Sequence, residues 1–442
     1  MINTIASPWA LLQRALNNYE ARVVTVFSGL QLLLGLVGNR LLTGAVPPEL
    51  LGKYYLYTNI LLWLSLPSTS LYVYFMRHWS VARQHGVPGL LARRMAWVAA
   101  VQALLGLCGG LLAAWSGKAG WWAVPFLTLI PAAVAIQQLL GQVPALERRR
   151  VMAGWLSLAS VSRPWFLAAA ALLPSLSLPM LLALHLVCSA AEVVLTLALL
   201  KWVLREIPLA APSATCSRDL EPLSMLHFAF PYFITAIVTQ CAGSAERWGL
   251  AAKADTAATA LFVQAVGLAA AAVGAVMLPL RGYFHPIISE LSGRTDAPLR
   301  STAVVLRRYM FTAVLSLSTL VLAVAMAAQP LTSVLLGARY QTAALLLPLT
   351  IVGAALFGLG QALAMVPFAA RNAWGPNGAL WCSNAFYIFA LLSVPSDDRM
   401  LWRYCMLFIA SNIVYAIFMC GIVIWHYRRA ANSPSVSGAA GP

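Results

Sequence analysis

Charge inside an apolar run is where this sequence can do chemistry. An ionised side chain at the centre of a membrane helix costs roughly 2.5–3.5 kcal/mol on insertion scales, so it is kept for a reason. Arg40, Arg163 and Glu192 stand within such runs. Arg163 directly precedes Pro164 in Ser160-Val161-Ser162-Arg163-Pro164-Trp165. Proline frees a backbone carbonyl one turn earlier and biases the residue before it away from helical angles. A guanidinium beside such a break is a point for binding an anion, since its fork of donors suits phosphate oxygens. Arg163 and Glu192 are equidistant from a turn expected near 175–178, so they lie at similar depth and an ion pair between them is geometrically open. Such a pair either belongs to a substrate pathway or locks two helices in register. Arg40, in the outer third of its run, either faces the interior or snorkels to the outer headgroups. Glu246-Arg247, at the outer end of a later run, reads as a gate, a ligand contact or a solvated end.

The elements that carry these residues follow from composition. Of 442 residues, 61% are hydrophobic and 10% charged, with mean hydropathy +0.79. Soluble domains average about 45–50% apolar and about 25% charged residues, so the solvent for this chain is lipid. That excludes a nucleic-acid enzyme or a soluble binding module, although 29 Lys+Arg against 13 Asp+Glu would otherwise suggest nucleic acid. A membrane-spanning helix needs about 20 mostly apolar residues. Twelve runs qualify, at roughly 22–44, 54–76, 95–115, 121–142, 152–174, 179–201, 226–245, 256–280, 309–328, 343–368, 379–395 and 401–425. They are too long and too little alternating for barrel strands. The expected fold is an all-α polytopic membrane protein in two six-helix lobes.

With both termini inside, basic residues on inner segments outnumber those on outer segments by 20 to 7, as the positive-inside rule requires. The expected organisation is an amphipathic cytoplasmic segment over 1–21, a first lobe over 22–201, a cytoplasmic linker over 202–225, a second lobe over 226–425 and a disordered tail over 426–442. An even split around a cytoplasmic linker fits a transporter built from repeats.

Other polar residues read more plainly. Gln240 and Gln361 are expected as interhelical hydrogen-bond partners, with Gln137 and Gln138 open to the same reading. Trp121-Trp122 and the Tyr54-Tyr55-Tyr57 cluster are expected to anchor helices at the interface. Arg148-Arg149-Arg150 is expected to fix topology and to meet anionic lipid. Seven cysteines without a CxxC and six histidines without an HExxH give no disulfide framework and no metal site. No GxxxxGK[ST] loop binds ATP, no cofactor is expected, and the short extramembrane loops leave no place for an enzyme's carboxylates.

Three segments resemble a known family. Leu51-Gly52-Lys53-Tyr54-Tyr55-Leu56-Tyr57 resembles the G-x-Y opening of the second span in polysaccharide flippases of the multidrug/oligosaccharidyl-lipid/polysaccharide (MOP) exporter superfamily. Glu246-Arg247-Trp248-Gly249-Leu250 through Ala257-Ala258-Thr259-Ala260 is similar to that family's acidic-Arg pair and the segment after it. Leu335-Leu336-Gly337-Ala338-Arg339-Tyr340-Gln341-Thr342-Ala343 is similar to its G-x-x-Y-x-x-A step. Glu246 stands where the family commonly has aspartate, and Ala and Thr replace the usual glycine over 256–260. The resemblance implies a Wzx-type flippase, with a fold shared with MATE transporters. Such a protein moves undecaprenyl-diphosphate-linked oligosaccharide across the bacterial inner membrane by alternating access, for O-antigen or exopolysaccharide assembly. It further implies that Arg40 and Arg163 receive the diphosphate, and that a polysaccharide polymerase and glycosyltransferases are partners. Two alternatives stay open: a MATE-type small-molecule or drug:cation antiporter, and a non-transporting scaffold of a polysaccharide synthase complex. Against the antiporter, Glu192 alone is thin provision of intramembrane acid.

Overall fold

Backbone amides in hydrocarbon have no water to bond, so an apolar chain of this kind must satisfy them within helices or a closed barrel. The protein takes the helical solution: in a computed structural model, 91% of the described residues are helical, with no strand among them. The described residues are 19–84, 87–117, 120–147, 149–169, 176–206, 222–293, 299–369, 372 and 374–431. Of the expected amphipathic segment 1–18, of the expected linker 207–221 and of the expected tail 432–442 lie outside them; the first six residues of that tail, 426–431, instead continue the last helix.

The helices in chain order are α1 (Tyr19–Ala45), α2 (Pro48–Leu64), α3 (Leu66–Gln84), α4 (Pro88–Trp115), α5 (Ala123–Leu140), α6 (Val143–Leu146), α7 (Arg150–Ser160) and α8 (Arg163–Ala169). They continue as α9 (Leu178–Glu206), α10 (Pro222–Lys253), α11 (Thr256–Gly293), α12 (Leu299–Met326), α13 (Ala328–Leu335), α14 (Ala343–Ala369), α15 (Trp374–Leu392) and α16 (Met400–Ala431). Nine helices among the described residues are long and apolar enough to span a membrane, and each coincides with one of the twelve expected runs. The other three runs differ in instructive ways. The run over 54–76 breaks at Ser65, whose N–H donates to both Leu61 and Leu62 carbonyls. Pro67 just beyond cannot donate, so a new helix starts with proline in its first turn. The run over 152–174 breaks at Val161–Ser162, where the bonds tighten to Leu158 and Ala159. There Pro164 withholds the donor that a continuous helix requires. The third run is α15, carrying Asn377, Ser383 and Asn384 within its 19 residues.

Two compact units emerge: Met1–Leu261 with Leu331–Thr342, and Phe262–Pro330 with Ala343–Pro442. Helix α10, which opens the second half of the sequence, thus groups with the first unit, as does the segment 331–342. In the first unit a core of Leu71, Tyr74, Phe75, Trp79, Met95 and Leu139 joins α3, α4 and α5. Helices α4 and α5 approach closely at Gly106, where a Cβ would run into the Leu127 carbonyl, and at Gly110, where it would stand 3.2 Å from the Val124 Cα. Close backbone approach through small residues is how membrane helices associate without a hydrophobic drive. A polar chain crosses the same region: Gln102 Nε2 donates to Ser68 Oγ at 3.1 Å, and Ser68 donates to Gln138 Oε1 at 2.8 Å. In the second unit, Gly353 and Gly360 of α14 face the rings of Phe408 and Tyr415 on α16. Large apolar side chains such as Trp97, Trp115, Phe311 and Phe389 are strongly exposed, as expected of a lipid-facing surface.

Candidate functional site

Helix α9 carries a polar stripe. His185, Ser189, Glu192 and Thr196 follow one another at steps of four, three and four, which puts them on one face of a helix, and all four are buried. Three other elements close over that stripe. Arg163, at the start of α8, brings Nη2 to 3.5 Å from Glu192 Oε2. The α7–α8 break positions it, while Trp165 ties α8 to α1 by donating from Nε1 to the Leu34 carbonyl at 2.9 Å. Gly38 on α1 admits that indole, since a Cβ there would come 2.6 Å from its ring. Helix α2 contributes Tyr54, whose hydroxyl shares a 3.0 Å hydrogen bond with His185 Nδ1. Helix α5 contributes Gln137, which donates to the Ser189 carbonyl at 3.1 Å.

The cluster keeps unused hydrogen-bonding capacity. Arg163 Nε, Glu192 Oε1, His185 Nε2 and Ser189 Oγ are buried and make no hydrogen bond. Charge-assisted N–H···O bonds normally close to about 2.7–2.9 Å, so 3.5 Å is a loose hold on the guanidinium. Arg163 is also the more open partner, its side chain 28% exposed against 6% for Glu192. Its charge lies within electrostatic reach of Tyr54, His185, Cys188 and Glu192 together. One loosely paired cation with its Nε unused, at a helix break, can exchange its carboxylate for an arriving anion.

The remaining expected residues lie elsewhere. Arg40 rests its guanidinium on Gly337: a Cβ there would stand 2.6 Å from Nη1 and 3.0 Å from Cζ. Gly337 has φ +88°, a conformation suited to glycine. Arg40 is therefore engaged by the loop after α13 rather than by the α9 stripe. Glu246 and Arg247 are half-buried on α10. Arg247 Nε is buried without a partner, and its carbonyl accepts from Thr259 Oγ1 at 3.3 Å across the α10–α11 turn. Gln240 donates to the Asn59 carbonyl at 3.0 Å, and Gln361 to the Tyr415 hydroxyl at 2.9 Å, both between helices. Tyr54 departs from its expected place at the interface. It is 5% exposed and turned into the bundle, because His185 supplies the partner that a buried phenol needs.

Three features escaped the sequence reading. One is the partnership of Tyr54 with His185, for which the spacing around Glu192 was the available signal. Another is Glu147, next to the arginine triplet. Its carboxylate accepts from Trp79 Nε1 at 2.6 Å and meets Arg83 Nη1 at 3.0 Å, closing the α6 turn onto α3. Of the triplet itself, Arg149 pairs with Glu206 and Arg150 Nη1 donates to the Ala145 carbonyl at 3.5 Å, while 148 lies outside the described residues. The third is a network centred on Asn59. Its Oδ1 accepts from Ser244 at 2.8 Å and from Trp248 Nε1 at 3.2 Å, and Ser244 Oγ accepts from Trp63 Nε1 at 2.7 Å. That network binds α2 to α10. Nearby, the Tyr340 hydroxyl donates to the Val46 carbonyl at 3.2 Å, and burial pushes this phenol's pKa up so that it stays a donor.

No family model matches the sequence, and no curated protein matches it significantly. Solved structures do. The chain is similar to the lipid II flippase MurJ in its inward closed conformation, at TM-score 0.67 and 12% identity over 92% of this chain and 89% of that one. It is similar to a multidrug resistance MATE family transporter of the MOP superfamily in an inward-facing conformation, at TM-score 0.63 and 14% identity over 91% and 96%. A mutant of the Vibrio cholerae MATE transporter VcmN aligns at TM-score 0.58 and 15% identity over 96% and 97%. The chain has the helical fold of MOP-superfamily transporters.

Proposed function

We propose that the protein is an inner-membrane flippase carrying an undecaprenyl-diphosphate-linked oligosaccharide, a surface polysaccharide repeat unit, from the cytoplasmic to the periplasmic leaflet by alternating access. The observation that carries this reading is Arg163, a half-buried guanidinium at a helix break, loosely paired at 3.5 Å and with Nε unused. Diphosphate oxygens offer a fork acceptor of higher charge than Glu192, so the cargo displaces the carboxylate from the guanidinium and gains a contact strengthened by desolvation. Glu192 then holds the empty site together between cycles. The fold shared with a lipid II flippase supports a lipid-linked cargo. Both termini lie in the cytoplasm in this reading, and polymerase and glycosyltransferases act on either side of the step.

The MATE-type antiporter is the second reading. It draws on Glu192 Oε1 and His185 Nε2, two buried titratable atoms without partners that suit a coupling proton, and on the similar MATE likeness. Undecaprenyl-linked glycan and surface polysaccharide, measured together in a deletion strain, separate the two. Accumulated lipid-linked units with missing surface polymer support the flippase. Normal levels of both, with altered drug susceptibility, move the protein to the antiporters.

A further inference from the structure

The side of α9 opposite its polar stripe ends in two cations. Ala183, Val187, Ala190, Val194 and Ala198 are exposed there at steps of four, three, four and four. The same spacing leads on to Lys201 and Arg205, which are exposed as well. This end of the helix is fixed from behind, because Leu200 and Val203 are buried in the core that joins α3, α4 and α5. An exposed apolar stripe on a membrane helix faces lipid, so both cations close a lipid-facing stripe.

Their depth follows from helix geometry. Glu192 stands near the middle of the apolar run, and Lys201 follows it by nine residues, about 13.5 Å at 1.5 Å per residue. Half of a hydrocarbon core about 30 Å thick is about 15 Å, so the ammonium of Lys201 extends to the lipid phosphates and Arg205 lies one turn beyond. Trp202, exposed between them, is of the residue type that settles at this level.

Other cations nearby have carboxylates. Arg83 meets Glu147, and Arg149 meets Glu206, the acid that follows Arg205. No described ion pair includes Lys201 or Arg205. With Glu206 held by α7, the outward face of this turn is positive. The helix dipole explains cations near a C-terminus, which accounts for their place along α9 but not for their place around it.

We propose that Lys201, Trp202 and Arg205 dock the headgroup of an anionic phospholipid, with an acyl chain lying along the alanine-rich stripe beside them. Lys201 and Arg205 are one turn apart, about 5–6 Å between Cβ atoms, and bracket a single phosphate. A zwitterionic headgroup offers the same phosphate with its charge cancelled, so the surface prefers lipids of net negative charge. It lies on the helix whose other side carries Glu192, and it stands whether or not the cargo is a lipid-linked glycan.

The test is native mass spectrometry of the purified full-length protein, titrated with phosphatidylglycerol and phosphatidylcholine. The first phosphatidylglycerol adduct should form about twentyfold more tightly than the first phosphatidylcholine adduct. K201Q and R205Q should each weaken it about fivefold, the contribution expected of one basic residue at a membrane surface, and K201Q/R205Q should lose most of the preference. K201R/R205K should keep it, since both charges remain. K53Q/R399Q, which removes two exposed cations away from this surface, is the control and should bind phosphatidylglycerol as the natural protein does. Where the double variant K201Q/R205Q is unstable, the two single variants carry the test. Equal affinity for the two lipids, binding of phosphatidylglycerol by K201Q/R205Q within twofold of the natural protein, or an equal loss in K53Q/R399Q overturns the proposal. A dimer that K201Q/R205Q dissociates, seen in place of lipid adducts, would give the surface to a second copy and overturn it too.

Discussion

Arg163 cannot be removed without consequence for Glu192, which is 6% exposed and would be left as a buried charge. Breaking a buried pair from one side typically costs about 3–5 kcal/mol, whereas replacing both members is often close to neutral. R163Q should therefore lower the unfolding midpoint in detergent, and R163Q/E192Q should recover most of it. Export separates the two readings of the pair. If Arg163 receives the cargo, the double variant stays inactive at normal abundance; if the pair is only a lock, it exports again. These two residues were legible in the sequence because charge in an apolar run has few explanations. Tyr54 and His185 were not, because a tyrosine near the start of a run looks like an interfacial anchor and its partner is 131 residues away. Glu147 was hidden for a similar reason: beside three arginines it looks solvated, and only the fold brings Trp79 to it.

Helices were readable by length, since hydrocarbon thickness sets how many apolar residues a span needs, and nine runs keep their expected places. Their breaks and contacts were less so. Pro164 announces a break by its chemistry, but Ser65 breaks α2 from α3 through hydroxyl and backbone bonds that no hydropathy scale registers. Small-residue contacts are also silent, because a glycine in an apolar run does not say what approaches it. At Gly52 a Cβ would drive into the Thr256 carbonyl oxygen, a backbone atom that cannot rotate away. At Gly337 an added Cβ meets Arg40 and also pays for φ +88° with ψ 175°, a region that costs a non-glycine residue about 1–3 kcal/mol. Alanine at either position should lower the thermal midpoint, with G52A the larger loss. G29A is the control: nothing lies within 4 Å of that site inside α1, so the helix gains up to about 1 kcal/mol. Equal midpoints for G52A and G29A would remove the close approach from the fold.

Charge and connectivity act on the molecule as a whole. A net charge of +16, concentrated on one set of loops, should hold both termini in the cytoplasm. A phosphatase active only in the periplasm should then stay inactive when fused after residue 442, and become active when fused within 116–120. The same orientation puts a set of long-range contacts at the outer end of the first unit. There 331–342 and α10, both from the second half of the sequence, hold α1 and α2 through Arg40 on Gly337, Tyr340 on Val46, and Ser244 with Trp248 on Asn59. In the alternating-access cycle proposed above, segments from the two halves part at this end once per cycle. The five hydrogen bonds here, including Gln240 to the Asn59 carbonyl and Trp63 to Ser244, hold without being permanent, since each is worth about 0.5–1.5 kcal/mol net. In a cysteine-free background, V46C joined to Y340C by a short bismaleimide should export nothing while cross-linked, and each single variant carrying the same reagent should export normally. Undiminished export by the cross-linked protein would mean that these contacts stay closed throughout the cycle and would remove them from the proposed outer gate.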